Sequence, residues 1–161
     1  MKTIRNIFII TVVAATLASL ASCRKDCYMP SRSMLGIMFL DSVTVKPFTI
    51  SGVTVQGVGS DSLLYDSVNV SAVYLPLHLV KDTTDFKFKV SAIGDRKEGF
   101  EFTLKVVHST NPQYVSPECG CVPFHTIKKF EFSKPELFKK TELFNSEVQN
   151  VEQDVHIKVY L

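Results

Sequence analysis

The chain of 161 residues contains no tryptophan, and it also lacks the short motifs that carry most enzyme chemistry. There is no His-Glu-x-x-His pair for zinc, no Gly-x-Ser-x-Gly turn for a nucleophilic serine, and no glycine-rich phosphate loop leading into a helix. Residues 57–60, which read Gly-Val-Gly-Ser, are instead typical of a turn at the end of a strand. The sequence therefore predicts a protein that is not an enzyme and that needs no cofactor or metal.

An excess of one charge is missing as well. The chain carries 18 Lys and Arg against 16 Asp and Glu, and two of the basic residues, Lys2 and Arg5, lie in the first 22 residues, where no acid occurs. The remaining sequence is therefore charge-balanced. A balanced surface gives no reason to expect nucleic acid as a partner.

No hydrophobic run in the sequence is long enough for a membrane-spanning helix, which needs roughly 20 residues. The apolar run at residues 7–20 follows Lys2 and Arg5, as in a secretory signal peptide. It leads into Leu-Ala-Ser-Cys at residues 20–23, which resembles the bacterial lipobox. The resemblance implies cleavage before Cys23, diacylation of its thiol and acylation of the new N-terminus, a stable three-chain anchor. The alternative is an ordinary signal cleaved near Ala21, with Cys23 a free thiol.

The residues after Cys23 indicate where the protein is sorted. They read Arg-Lys-Asp at 24–26, so no aspartate directly follows the cysteine. By resemblance to the proteobacterial sorting rule, this favours the outer membrane, and the acidic run typical of surface-exposed lipoproteins is absent. We expect a lipid anchor on the periplasmic face, with exposure at the cell surface left open. The predicted organisation is a signal peptide at 1–22, a lipidated tether at 23–33 and a single domain at 34–161.

From Met34 onwards the sequence reads as short strands separated by turn signals. Residues 34–40 form a continuous apolar run, which predicts a strand buried on both faces. Strict alternation predicts a hairpin with one buried face at residues 86–106 and a closing strand at 155–161. The predicted inward-facing residues of the hairpin are Phe86, Phe88, Val90, Ala92, Phe100, Phe102, Leu104 and Val106.

The other elements are less regular. Alternation is predicted through Val43, Val45, Phe48 and Ile50, with Pro47 marking an edge strand or a bulge. It continues through Val53, Val55 and Val58, and further strands are predicted at 63–65, 68–79 and 122–132. Polar residues and prolines predict loops at 81–85, 111–113 and 116–118, and residues 135–144 fit either a short helix or a strand. Several short strands with little helix predict an all-β fold, a two-sheet antiparallel β-sandwich, with a β-barrel as the alternative.

Three segments, together with the lipobox, resemble an uncharacterised family of small lipoproteins from Bacteroidetes-type bacteria. They are Val-Tyr-Leu-Pro-Leu at 73–77, Lys-Asp-Thr-Thr-Asp-Phe-Lys-Phe at 81–88, and Ser-Pro-Glu-Cys-Gly at 116–120. The resemblance covers nearly all of the chain after the signal peptide. It implies an immunoglobulin-like sandwich in the cell envelope, and it implies no activity.

Three cysteines remain once Cys23 carries lipid, and thiols pair in an oxidising compartment. Following the Glu-Cys-Gly resemblance, we expect a disulfide between Cys27 and Cys119, with Cys121 as the alternative partner of Cys27. A bridge between Cys119 and Cys121 would close a strained ring across one glycine. As a dithiol the same two residues could form a redox centre, but such a site needs a helix N-terminus or nearby cations to stabilise a thiolate, and the neighbouring Pro117 and Glu118 supply neither.

The four histidines are scattered along the chain, at His78, His108, His125 and His156. Each lies among strand residues, so we expect partly exposed strand histidines. Cys119-x-Cys121-x3-His125 has donors that suit a soft metal, but a tetrahedral site wants four ligands, and only Cys27 is available as the fourth. We therefore expect no metal site.

Two function classes remain. The first is a non-catalytic interaction module that docks on another envelope or outer-membrane protein, which predicts an exposed apolar patch or an open edge strand. The alternative is a glycan- or peptide-binding lipoprotein; a glycan binder should show exposed aromatic side chains lining a groove. The aromatic candidates for that role cannot be grouped by sequence; they are Tyr65, Tyr74, Tyr114 and Tyr160.

Overall fold

A computed structural model describes residues 33–92, 98–117, 120–149, 151 and 153–161. These residues form ten strands and one three-residue 3-10 helix, Pro135–Leu137. The strands are β1 Met34–Leu40, β2 Ile50–Gly57, β3 Leu63–Val70, β4 Ala72–Pro76, β5 Thr83–Val90, β6 Phe100–Ser116, β7 Gly120–Phe132, β8 Lys140–Leu143, β9 Glu147–Val148 and β10 Ile157–Tyr160. The predicted signal peptide at 1–22 and nearly all of the tether lie outside the described residues.

The strands form two sheets that share one hydrophobic core. The smaller sheet has the order β4-β1-β10-β8 and the larger β3-β2-β5-β6-β7-β9, and buried residues from both belong to a single cluster. The prediction of an all-β, two-sheet sandwich is confirmed. One pair departs from the expected antiparallel arrangement, since β1 and β10 run parallel, with Ile37 opposite Ile157.

The strand predicted at 34–40 is confirmed, but its burial on both faces is incomplete, because Met34 and Met38 are partly exposed. β1 lies between β4 and β10, and its inward-facing residues Leu35, Ile37 and Phe39 are almost fully buried. Buried strands read as continuous apolar runs because both of their faces are covered. The closing strand at the C-terminus is confirmed as its parallel neighbour β10.

The predicted hairpin forms from β5 and β6 with the expected register. Phe88 lies opposite Phe102, and their stacked rings have centroids 4.8 Å apart. Phe102 also meets the edges of Phe132 and Phe138, at 5.8 and 5.3 Å between centroids. On the opposite, solvent-facing side Lys87 Nζ lies 3.1 Å from a Glu101 carboxylate oxygen. The predicted turn, residues 94–99, falls largely outside the described residues.

The prediction of a single strand at 68–79 is wrong, because the chain changes sheets within this range. β3 ends at Val70 and β4 begins at Ala72, and the two belong to different sheets. Alternation does not reveal such a crossover, since both strands present an apolar face to the same core. The short strand at 63–65 accordingly extends to Val70. The alternation expected at Val43, Val45 and Val58 is wrong, because Val43 and Val45 lie exposed in the β1–β2 connection and Val58 lies exposed in the turn after β2.

Two predicted loops lie at least partly in strands. β5 begins at Thr83, inside the loop expected at 81–85, and β6 runs through Asn111–Gln113 to Ser116. Pro112 lies directly opposite Pro123 of β7. Both prolines lack an N–H group, and because they are paired with each other, only this one position of the β6–β7 pair loses its hydrogen-bond donors. Pairing of the two strands continues beyond it. The segment at 135–144 contains both expected alternatives, a 3-10 turn followed by β8.

Gly36 in β1 is a point of close backbone approach. Its N–H donates to His156 Nδ1 at 2.9 Å, and its carbonyl accepts from the His156 N–H at 2.9 Å. A Cβ on Gly36 would lie 1.9 Å from the carbonyl oxygen of Asp154. Only a residue without a side chain fits between these two segments.

We expect Gly36→Ala to lower the free energy of unfolding by about 1–3 kcal/mol or more, the cost of overpacking a site whose neighbour is rigid backbone. Gly57→Ala is the matched control, because a Cβ there meets its nearest atom, Ser60 Cβ, at 3.9 Å. Urea denaturation of both variants measures the difference. Equal losses would contradict the close approach.

Candidate functional site

Most of the cysteines predicted to carry covalent chemistry lie outside the described residues. They are Cys23, Cys27 and Cys119, so lipidation and the Cys27–Cys119 bridge stay predictions. Cys121 is on β7 opposite Tyr114, and its thiol is free and exposed.

The histidines differ from the sequence prediction. His78 is exposed, but His108, His125 and His156 are 0–2 % exposed, so the expectation of partly exposed side chains is wrong for these three. His108 continues the inward register of Phe102, Leu104 and Val106 on β6, and His125 shares a face with Ile127 on β7. The period-two pattern of the hairpin therefore contained a signal that could have predicted the burial of His108.

His108 and His125 form a buried pair whose rings are nearly perpendicular, with centroids 5.1 Å apart. His108 Nε2 lies 2.8 Å from Thr84 Oγ1, and His125 Nδ1 lies 3.0 Å from Thr110 Oγ1. The Thr84 hydroxyl oxygen also accepts from the backbone N–H of His78 at 2.8 Å. His108 Nδ1 is buried without a hydrogen-bond partner among the described residues.

Burial sets the charge state of this pair. Desolvation lowers the pKa of His125 to about 4, helped by the nearby His108, and it lowers the pKa of His108 as well. Neutral imidazoles can accept protons or bind metal. However, the described part of the chain has no group of three or more His, Cys, Asp or Glu side chains able to hold a metal ion. The pair fits a structural role, packing polar rings against threonine hydroxyls.

His156 links β1 of the smaller sheet to β9 of the larger sheet. Its Nδ1 accepts from Gly36, while Nε2 lies 3.2 Å from the carbonyl oxygen of Glu147 on β9 and 3.6 Å from an Asp154 carboxylate oxygen. Burial lowers the pKa of His156 although Asp154 and Glu147 act in the opposite direction. The neutral ring with Nε2 protonated satisfies both contacts, since Nδ1 must accept.

A cleft of about 560 Å³ lies beside the His78–Thr84 contact. Its walls are the β2–β3 turn, the segment from Pro76 to His78 and the start of β5, and Leu64 of β3 also lines it. The aromatic lining residue is Phe86, which is buried. The cleft therefore lacks the exposed aromatic platform expected of a glycan site.

β3 forms an edge of the larger sheet and, among the described strands, pairs with β2 alone. It exposes Leu63, Leu64 and Val68, and its eight residues include no lysine, arginine or proline. Ser67 has φ of +49° and the register with β2 shifts repeatedly, which marks an irregular, bulged edge. The Tyr65 hydroxyl of β3 accepts a hydrogen bond from the Tyr74 N–H of β4 at 2.9 Å. This bond holds β3 against the smaller sheet.

The predicted aromatic candidates do not come together as one surface. Tyr65 and Tyr74 contact each other and are partly buried, as is Tyr160, whereas Tyr114 is exposed on β6. In the described part of the chain, no helix is long and apolar enough to cross a membrane.

A family model matches most of the chain. Residues 52–161 match DUF6452, described as a family of unknown function; this range runs from β2 to the C-terminus and includes β3, the cleft and all three buried histidines. No curated protein matched the chain, and no solved structure did. Because the match covers more than half of the sequence, the chain belongs to the family of unknown function DUF6452.

Proposed function

We propose that this protein is a lipid-anchored, non-catalytic envelope protein that docks onto another envelope or outer-membrane protein through the outer edge of β3. The observation that carries the proposal is that edge: it exposes leucine and valine side chains beside backbone groups that no described strand pairs. Natural proteins protect edge strands with charged side chains, above all lysine, with proline, with β-bulges or by very short length. β3 has no lysine or proline and a single charged residue, Asp66, although its bulge limits the length that a partner can pair.

An extended strand of the partner is the occupant that fits this edge. Backbone groups of β3 would hydrogen-bond to the added strand, and the exposed Leu63 and Leu64 would contact its alternate side chains. A glycan fits less well, because the adjacent cleft has no exposed phenylalanine, tyrosine or tryptophan ring among its lining residues. The outer-membrane location rests on the lipobox resemblance, and Cys23 is the proposed anchor.

The anchor has a direct test. Metabolic labelling with palmitate should mark the wild-type protein, and Cys23→Ala should remove the label because the acceptor thiol is gone. Cys121→Ala, at an exposed free thiol of the same chain, is the matched control and should keep the label. An unlabelled wild-type protein would refute the lipoprotein assignment.

The docking edge has a separate test. A photo-crosslinking amino acid at Leu63 should give a crosslinked partner in intact envelopes, whereas the same group at Val43, an exposed valine in the β1–β2 connection, should not. Leu64→Lys combined with the Leu63 crosslinker should abolish the product, because a lysine on an edge opposes strand addition. Equal crosslinking from both positions, or none from Leu63, would argue against docking at β3.

A further inference from the structure

Several exposed apolar residues lie at the end of the sandwich where the chain enters the domain, here called the entry end. Ser33 hydroxyl donates to the carbonyl of Pro123 on β7, and Met34 lies opposite Pro76, the last residue of β4. The segment after Pro76 leads to the start of β5 through Leu79 and Val80, whose exposed fraction reaches 90 % at Val80. Val58, in the adjacent turn, donates its N–H to Asp85 of β5 and is also exposed.

The β6–β7 hairpin extends the entry end further. Thr83, the first residue of β5, lies opposite Val107, so β6 continues from His108 to Ser116 beyond its pairing with β5. Tyr114 lies in this extension and is 67 % exposed. Tyrosine is enriched at membrane–water interfaces, where its ring lies among apolar groups and its hydroxyl stays wet.

We propose that the entry end rests on the lipid surface, with Val80, Leu79 and Tyr114 in contact with the headgroup and upper acyl region. This inference rests on the proposed anchor at Cys23. Nine residues separate Cys23 from Ser33, so the two are ten peptide units apart, at most roughly 35 Å when the chain is fully extended. The opposite end of the sandwich lies one strand length from the point where the chain enters the domain, about 23 Å for the seven residues of β1.

The chemistry of the entry end suits a lipid surface. Exposed apolar groups that form a patch mark protein or membrane contact sites, and Lys81, the exposed neighbour of Val80, supplies a cation for phosphate headgroups. Val43 and Val45 are also exposed, but they lie in the β1–β2 connection at the far end. Val80 therefore lies at the end where the tether joins the domain, whereas Val43 and Val45, which are also exposed valines, lie at the opposite end.

The absence of tryptophan makes the test clean, because one introduced tryptophan is the only indole in the protein. We would place Val80→Trp, Tyr114→Trp and, as control, Val43→Trp in the full lipidated chain. Each protein would be reconstituted in phosphatidylethanolamine–phosphatidylglycerol vesicles, with and without brominated acyl chains. We expect a blue shift, and loss of most emission on brominated lipid, when the indole is at position 80 or 114. Emission should be unchanged for the control at position 43, where the wild-type valine is 87 % exposed.

A second substitution tests the contact itself. Val80→Asp added to Tyr114→Trp should relieve part of the bromolipid quenching, because a carboxylate disfavours the apolar side of the interface. Val43→Asp in the same background should leave the quenching unchanged.

The outcomes separate this inference from the anchor on which it depends. Protein that floats with the vesicles but shows equal quenching at all three positions, or none at positions 80 and 114, would overturn the orientation and leave the anchor standing. Protein that fails to float would overturn both. A blue shift at position 80 that grows with protein concentration in detergent, without vesicles, would assign this end to contact between copies and also overturn the proposal.

Discussion

Replacing Phe102 with alanine should lower the free energy of unfolding by about 3–5 kcal/mol, the usual cost of truncating a buried phenylalanine. The ring stacks on Phe88 and meets the edges of Phe132 and Phe138, so it ties together β5, β6, β7 and the segment after the 3-10 helix. Its removal leaves a cavity that three other rings line. Urea denaturation followed by circular dichroism measures the loss.

Lys89→Ala is the matched control for Phe102→Ala. Lys89 lies on β5 next to Phe88 and points to the solvent-facing side, where it is exposed. Exposed substitutions of this kind usually change stability by no more than about 0.5 kcal/mol. If Lys89→Ala proved the more damaging change, the register of the hairpin would be displaced by one residue and its faces exchanged.

Lowering the pH from 7.5 to 5 should destabilise the protein by about 2 kcal/mol through His125 alone. In the folded state the pKa of His125 lies at about 4, while the ordinary value is 6.5. Between these values the unfolded chain binds a proton that the folded chain does not, so stability falls as the pH falls. The dependence vanishes above about pH 7, where both states are neutral. Burial lowers the pKa of His108 and of His156 in the same direction, so the total loss should exceed that of His125.

The measurement is a series of urea denaturations between about pH 5 and 7.5, above the range in which carboxylates titrate. His125→Asn replaces the ring with a non-titrating amide whose side-chain nitrogen or oxygen can still reach Thr110, and its stability should depend less steeply on pH. His78→Asn, at the exposed histidine, is the control and should keep the wild-type slope. A wild-type stability that stays constant over this range would show that the buried rings are not held neutral.

Much of the fold follows from sequence patterns alone, because alternation and apolar runs report directly on burial. The strands at 34–40 and 86–106 have unambiguous patterns, and the structure confirms both with the expected inward residues. The closing strand was also predictable, since its apolar residues alternate with His156, Lys158 and Tyr160. The lipobox, the tether and the cysteine pairing are predictions from the sequence that stay untested. Apart from Ser33 and Cys121, the residues that they concern lie outside the described structure.

The candidate docking edge was predictable in part. The sequence indicates a strand at 63–65 with apolar residues, and a docking module predicts an exposed apolar patch or an open edge strand. Which strand forms that edge depends on the order of the sheet. Sheet order is a long-range property, because β2 lies between β3 and β5 only when the whole sandwich assembles.

The sequence by itself determined the all-β class and the inward faces of the central strand and of the hairpin, because each depends on residues close together along the chain. The charge balance of residues 23–161 is a matter of composition alone. Only the tertiary structure decided that β10 runs parallel to β1, that the chain changes sheets at Ser71, and that three histidines are sealed in the interior. The physical reason is that these features arise where segments distant in sequence meet. Burial in the assembled fold lowers the pKa of His108 and of His125, and Gly36 must be glycine because the backbone of Asp154, far along the chain, lies against it.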